Sequence, residues 1–250
     1  RTGHGAHDAW VQPSPGARKA LARILDTLTE RRPMNAVPTR WIVPQAPTVE
    51  GIVNTDASSL EGYGGALLLE GVLLYFSGKW RKDIRRGRFE GSERKPIVDI
   101  AVLEALTVVV AAATWGEKWT GRKVVLRSDS QPTCWCFNKL ASKDPAMARV
   151  ADLWEAAQHF FGFEGLVLHC SGVTNELADR ASRKNEDEVQ RSMEEAAKAE
   201  NVGERGCKRV PAVWKFGSET VDILDELIAL TGESVKKRKM LELTKTASHP

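Results

Sequence analysis

The hydrophobic positions of this 250-residue chain change rhythm as the chain proceeds. Residues 1–50 are interrupted by Pro13, Pro15, Pro33, Pro38, Pro44 and Pro47. Only ARKALARILDTLTERR, with Leu21, Ile24, Leu25 and Leu28, keeps a helical spacing there. From about residue 51 the pattern becomes that of strands. GIVNTD, GALLLEG and VLLYFSGKW predict three of them, with Gly62, Gly64 and Gly65 at close backbone approaches and Gly71 at a hairpin turn. Residues 79–95 read as a polar connection carrying eight basic and three acidic side chains. Asp99 then caps a predicted helix over 99–115, and GRKVVLRSD is a fourth strand. Ser130 and Pro132 open a short helix, proline being tolerated in a first turn. DPAMARVADLWEAAQHFF is amphipathic, EGLVLHCSG a fifth strand, and TNELADRASRK the start of another helix.

Three hairpin-linked strands followed by alternating helix and strand predict an α/β domain over 51–183. Its five-stranded mixed sheet is flanked by helices, with strands 1 and 4 adjacent and parallel. After 184 the chain is nearly all polar, and NEDEVQRSMEEAAKAENVGERGCKR is expected to be a solvated helix or linker with little to bury. VDILDELIALTG is a short amphipathic helix and KKRKMLELTKTASHP, with Lys236, Lys237, Arg238 and Lys239, a basic tail. The segments 1–50 and 184–250 are thus extensions, an N-terminal adaptor and a charged linker with a C-terminal helix. Their helices are too short to stand alone in water and are expected to dock on the core's flank, a partner chain or RNA.

Composition changes this picture little. With 42% hydrophobic and 28% charged residues the chain is globular, and a net charge of +3 neither demands nor excludes nucleic acid. The cysteines Cys134, Cys136, Cys170 and Cys207 form no C-x-x-C pair, which argues against structural zinc. Free thiols suit an intracellular, reducing compartment, without separating nucleus or cytoplasm from mitochondrion. No run of about 18 uncharged apolar residues predicts a membrane span. The chain begins at Arg1, which fits an excised polyprotein segment and a mature form without its targeting peptide alike.

Candidate chemistry lies in four carboxylates. Asp56 and Asp129 end strands, where ligands collect in open mixed sheets; the alternatives are a turn Asp and a helix cap. Glu104 lies in a helix apolar nearly all round, which should be buried, and a lone Glu there needs a cation or an Arg partner. Asp179 stands four residues after Asn175, and the alternative for it is a surface pair with Arg183. Four converging carboxylates would raise each other's pKa, and a pair of divalent cations relieves that and offers phosphodiester chemistry.

In these residues the segment 51–183 resembles the type 1 ribonuclease H domain, particularly that of retroelement reverse transcriptases. GIVNTDASSLEGYGGALL is similar to the family's first hairpin, LEAL to the helix carrying its Glu, and RSDSQ to the Asp closing the fourth strand. HCSGVTNELADRASR resembles the closing motif, most of all in tyrosine-recombinase and gypsy-like elements. Two departures stand out. Only Val173 and Thr174 separate Gly172 from Asn175, leaving no room for the His-bearing loop of many cellular members, and the basic protrusion is absent.

The resemblance implies a ribonuclease H-like fold and a two-Mg²⁺ mechanism, Mn²⁺ substituting, that cuts the RNA strand of an RNA·DNA hybrid. Asp56 would bridge the metals, Asp179 would help hold the one activating water, and Glu104 and Asp129 the one at the leaving group. Ser58, Gln131 and Asn175 are candidate substrate contacts, the alternative for Ser58 and Gln131 being a turn or cap residue. Arg81, Lys82, Arg85, Arg86 and Arg88 are candidates for holding phosphates, or else form a solvated loop. The partners implied are RNA·DNA hybrid or RNA, a reverse transcriptase domain or a large ribonucleoprotein, and no membrane. The competing reading is a domesticated domain serving as a structural or RNA-binding subunit of such a ribonucleoprotein. A transposase or integrase is disfavoured, since those place the essential Glu late, whereas Glu104 precedes Asp129.

Overall fold

Glu70 and Gly71 both adopt left-handed backbone angles, with φ of 49° and 71°. Such a two-residue turn suits the twist of a hairpin, and it joins β2 (Gly62–Leu69) to β3 (Val72–Lys79). β1 (Val53–Ala57) pairs antiparallel with β2. The computed structural model of the protein describes residues 53–59, 61–82, 84, 88–90, 93–95, 98–199, 206–217, 219–220 and 222–230. The helix expected at 17–31 and the basic tail from Lys236 lie outside these residues.

The polar connection after β3 contains a small separate hairpin, β4 (Arg88–Glu90) with β5 (Glu93–Lys95). Three helices then start at side-chain caps, the first two as predicted. Asp99 accepts from the Ala101 N–H at 2.9 Å to open α1 (Ile100–Trp115). After β6 (Lys123–Ser128), Ser130 caps α2 (Gln131–Lys139), and Asp144 accepts from the Met147 N–H at 2.9 Å to cap α3 (Pro145–Phe161). β7 (Glu164–His169) and α4 (Glu176–Arg183) follow.

β1 runs parallel to β6, and β6 parallel to β7, as expected for strands 1 and 4. The order is β7-β6-β1-β2-β3-β8, so the sheet has six strands rather than five. The sixth, β8 (Cys207–Arg209), lies parallel to β3. It is followed by a two-stranded ribbon of β9 (Lys215–Phe216) and β10 (Glu219–Thr220).

The segment after 184 therefore departs from the expectation of a linker with little to bury. It forms α5 (Glu186–Ala199), in which Val189, Met193 and Ala197 are buried four residues apart. They pack with Ala66, Leu73, Tyr75 and Ala181 into a second core cluster. The cause is in β2 and β3. ALLL and VLLYF are apolar at consecutive positions, so both faces of those strands need cover. One face takes the main core, built on α1 and α3; α4 and α5 cover the other.

The described residues of the C-terminal extension from 206 to 230 pack on the core's own flank. Phe216, Ile223, Leu224 and Leu227 join the main cluster, with Trp214 packed against it. Arg81 pairs with Asp225 and Arg149 with Glu226, and the Trp214 indole N–H donates to the Tyr63 hydroxyl at 3.1 Å. By length and hydropathy Ile100–Trp119 also fits a membrane span, but it is the central helix of the core.

Glycines of β2 let α4 close over the sheet. A Cβ at Gly64 would sit 2.3 Å from the Ala181 Cβ and 2.7 Å from its carbonyl carbon, and one at Gly62 would sit 2.9 Å from the Ser182 carbonyl oxygen. Gly64→Ala is expected to push α4 off the sheet and cost about 1–3 kcal/mol, as overpacking does. The urea midpoint measures this; an unchanged midpoint would show that α4 yields freely.

Candidate functional site

The parallel register of β1 and β6 aligns Val53 with Leu126 and Asn54 with Arg127. Continued past the ladder, it brings Asp56 opposite Asp129 at the carboxyl edge of the sheet. α1 crosses that edge one turn after its cap and adds Glu104. Asp56, Glu104 and Asp129 each present a carboxylate oxygen, and these oxygens lie within 4.8 Å of one another. Asp56 is buried and the other two half-buried. Hydroxyls steady the Glu: Ser128 donates to Glu104 Oε2 at 3.4 Å, and Ser130 also bonds to it.

Asp179 is not brought into that cluster. Its carboxylate, on the first turn of α4, accepts from the Arg183 guanidinium, the pairing that its spacing allowed. It remains near enough to Asp56 to disfavour ionisation there. Asn175 is fully buried and donates to the Thr55 carbonyl at 2.9 Å. It ties the closing turn to β1 beside Asp56.

The other expected contacts are dispersed. Ser58 is buried, with its N–H on the Gly62 carbonyl and its own carbonyl on the Trp80 indole. Gln131 is exposed on the first turn of α2, within two residues of Asp129. Arg81 pairs with Asp225 rather than standing ready for phosphate, and Lys82 is exposed. Arg88 falls in β4, while Arg85 and Arg86 lie outside the described residues. One residue given no role by the sequence reading belongs to the site. Ser182, fully buried on α4, donates to Asp56 Oδ2. Its signal was its place three residues after Asp179, nearly one turn on.

The three carboxylates suit a hard divalent cation. Oδ1 of Asp129 is buried and has no hydrogen-bond partner, and the donor set is all oxygen. Without a cation the site favours protons. Burial first, then repulsion from Asp129 and Asp56, pushes Glu104 up to about 8. Burial pushes Asp56 up to about 6, Ser182 and Arg183 opposing and the neighbouring carboxylates adding to it.

Both groups bind protons more readily folded than unfolded. The stability they contribute is complete below the unfolded values, about pH 4, and drains as pH rises through about 6 and then about 8. The melting midpoint in EDTA should therefore fall by about 5 °C or more between pH 5 and 8. Millimolar Mg²⁺ or Mn²⁺ should restore most of the loss at pH 8, and Glu104→Gln should flatten the profile. A wild-type profile that is flat in EDTA and indifferent to Mn²⁺ would mean that the cluster holds no frustrated charge.

No family model matches the chain, and no curated protein matches it. Among solved structures, ribonuclease H1 of the halophilic archaeon Halobacterium salinarum NRC-1 is similar at 14% identity, with a TM-score of 0.38, over 58% of this chain and 98% of that one. The N-terminal ribonuclease H domain of a Mycobacterium tuberculosis protein, solved as a fusion with maltose-binding protein, is similar at 12% identity. Its TM-score is 0.32, over 62% of this chain and 99% of that one.

Proposed function

We propose that this chain is a divalent-metal-dependent endonuclease that cleaves the RNA strand of RNA·DNA hybrids and derives from a retroelement reverse transcriptase. The observation that carries the reading is the cluster of Asp56, Glu104 and Asp129 at the sheet's carboxyl edge, with an unmatched oxygen on Asp129. The order of these residues in the chain and the N-x-x-A-D-x-x-S-R motif that closes the domain support the retroelement origin.

When bound, a pair of Mg²⁺ ions supplies an activated water and a stabilised leaving oxygen. The chain's own residues provide their cradle. Asp56, fixed on β1, offers the carboxylate placed to be shared. Asp129 and Glu104 form one side of the cradle, Glu104 held by Ser128 and Ser130. Asp179, paired with Arg183 at the rim, would form the other side if that pair opened. Burial of Asp56 beside the apolar walls of α1 shields that carboxylate from water and strengthens its hold on a cation.

The alternative is a structural or RNA-binding subunit of a ribonucleoprotein, for which the proline-rich head, the charged linker and the basic tail would be the extra surface; the intact carboxylates favour the nuclease. The test is incubation of the purified chain with a labelled RNA·DNA hybrid, alongside RNA duplex, DNA duplex and single-stranded RNA. Mg²⁺-dependent cuts confined to the RNA of the hybrid, leaving 5′-phosphate and 3′-hydroxyl ends, are expected. Loss of no substrate under any metal would remove the reading.

A further inference from the structure

Asp56 is the deepest of the three clustered carboxylates, and one of its oxygens is already engaged from within the protein. Ser182, on the last turn of α4, donates its hydroxyl to Asp56 Oδ2 and also lies 2.9 Å from the Asp179 carbonyl. It is fully buried, so no water competes for that hydroxyl. The approach is built into the backbone. Asp56 pairs with Gly64 across the sheet, and a Cβ on Gly64 would lie 2.9 Å from the Ser182 nitrogen. Gly62 is likewise bare beneath the Ser182 carbonyl. Two glycines of β2 thus let one serine of α4 reach one carboxylate of β1.

Resting on the proposed metal-dependent activity, we propose that Ser182 is a positioning residue: it fixes the rotamer of Asp56 by holding Oδ2, turns Oδ1 toward the cations, and links Asp56 to the helix that carries Asp179. The hydroxyl restricts the rotation of the carboxylate, which an oriented metal ligand requires. The serine touches neither substrate nor cation; it acts through Asp56.

The experiment is direct Mn²⁺ binding, by the loss of the free-ion electron paramagnetic resonance signal, to the full chain and its Ser182→Ala and Ser182→Thr variants, with circular dichroism to confirm folding. Ser182→Ala should weaken Mn²⁺ by about 10-fold or more, in the range for partners that orient metal ligands. It should lower kcat on the hybrid to match and leave KM within about 2-fold. Ser182→Thr keeps the hydroxyl and should bind within about 3-fold of wild type. A folded alanine variant that binds Mn²⁺ like wild type overturns the role of Ser182 and leaves the nuclease reading standing. A wild-type chain whose Mn²⁺ binding is absent, or is unaffected by Asp56→Ala, overturns both. Should the alanine variant fail to fold, Ser182→Cys, a weak donor of similar size, takes its place under the same criteria.

Discussion

Asp129→Asn is expected to abolish cleavage of the hybrid, by about 10³-fold or more, while the protein stays folded. The amide keeps the shape of the side chain and loses the charge that a hard cation needs. It also removes the repulsion that Asp129 exerts on Glu104 and Asp56. The variant should therefore melt at or above the wild-type temperature in EDTA and gain nothing from added Mg²⁺. This pairing of outcomes is informative because an ordinary damaging substitution would lower both activity and stability. Equal cleavage by the variant would falsify the assignment of Asp129. If the wild-type chain does not cleave either, the structural role becomes the better account.

The parts legible in the sequence were those dictated by local chemistry. Asp99 and Ser130 announce helix starts because a side-chain oxygen before a helical run satisfies free N–H groups. The wholly apolar surroundings of Glu104 announced burial, and strand ends placed Asp56 and Asp129 at one edge. What escaped notice depends on distant pairing. The stripe of Val189, Met193 and Ala197 is a single row that looks too thin for a packed helix until β2 and β3 are seen to be apolar on both faces. β8 is three residues with no alternation of its own, and it becomes a strand because β3 leaves an edge open. Asp179 illustrates the opposite limit. Its spacing to Arg183 allowed both a site role and an ion pair, and spacing alone does not choose between them.

Ending the chain after residue 205 should cost the domain most or all of its stability, although the carboxylate cluster and its supporting strands remain. The truncation removes β8, which pairs with β3, and Trp214, Phe216, Ile223, Leu224 and Leu227, which pack with the main core. Fully burying each large apolar side chain is worth about 1.5–3 kcal/mol. Four such losses approach the whole of the roughly 5–15 kcal/mol by which a domain is stable. The cut also exposes the edge of β3 and frees Arg81 and Arg149 from their partners on 225–226. Leu227→Ala is the milder version, expected to cost about 2–5 kcal/mol because the residue is completely enclosed. Thermal melts of the three proteins decide the matter. A truncated chain that is soluble and melts cooperatively within a few degrees of the full one would mean that the core over 53–199 stands alone, and that the C-terminal segment is the detachable extension that its charge pattern first suggested.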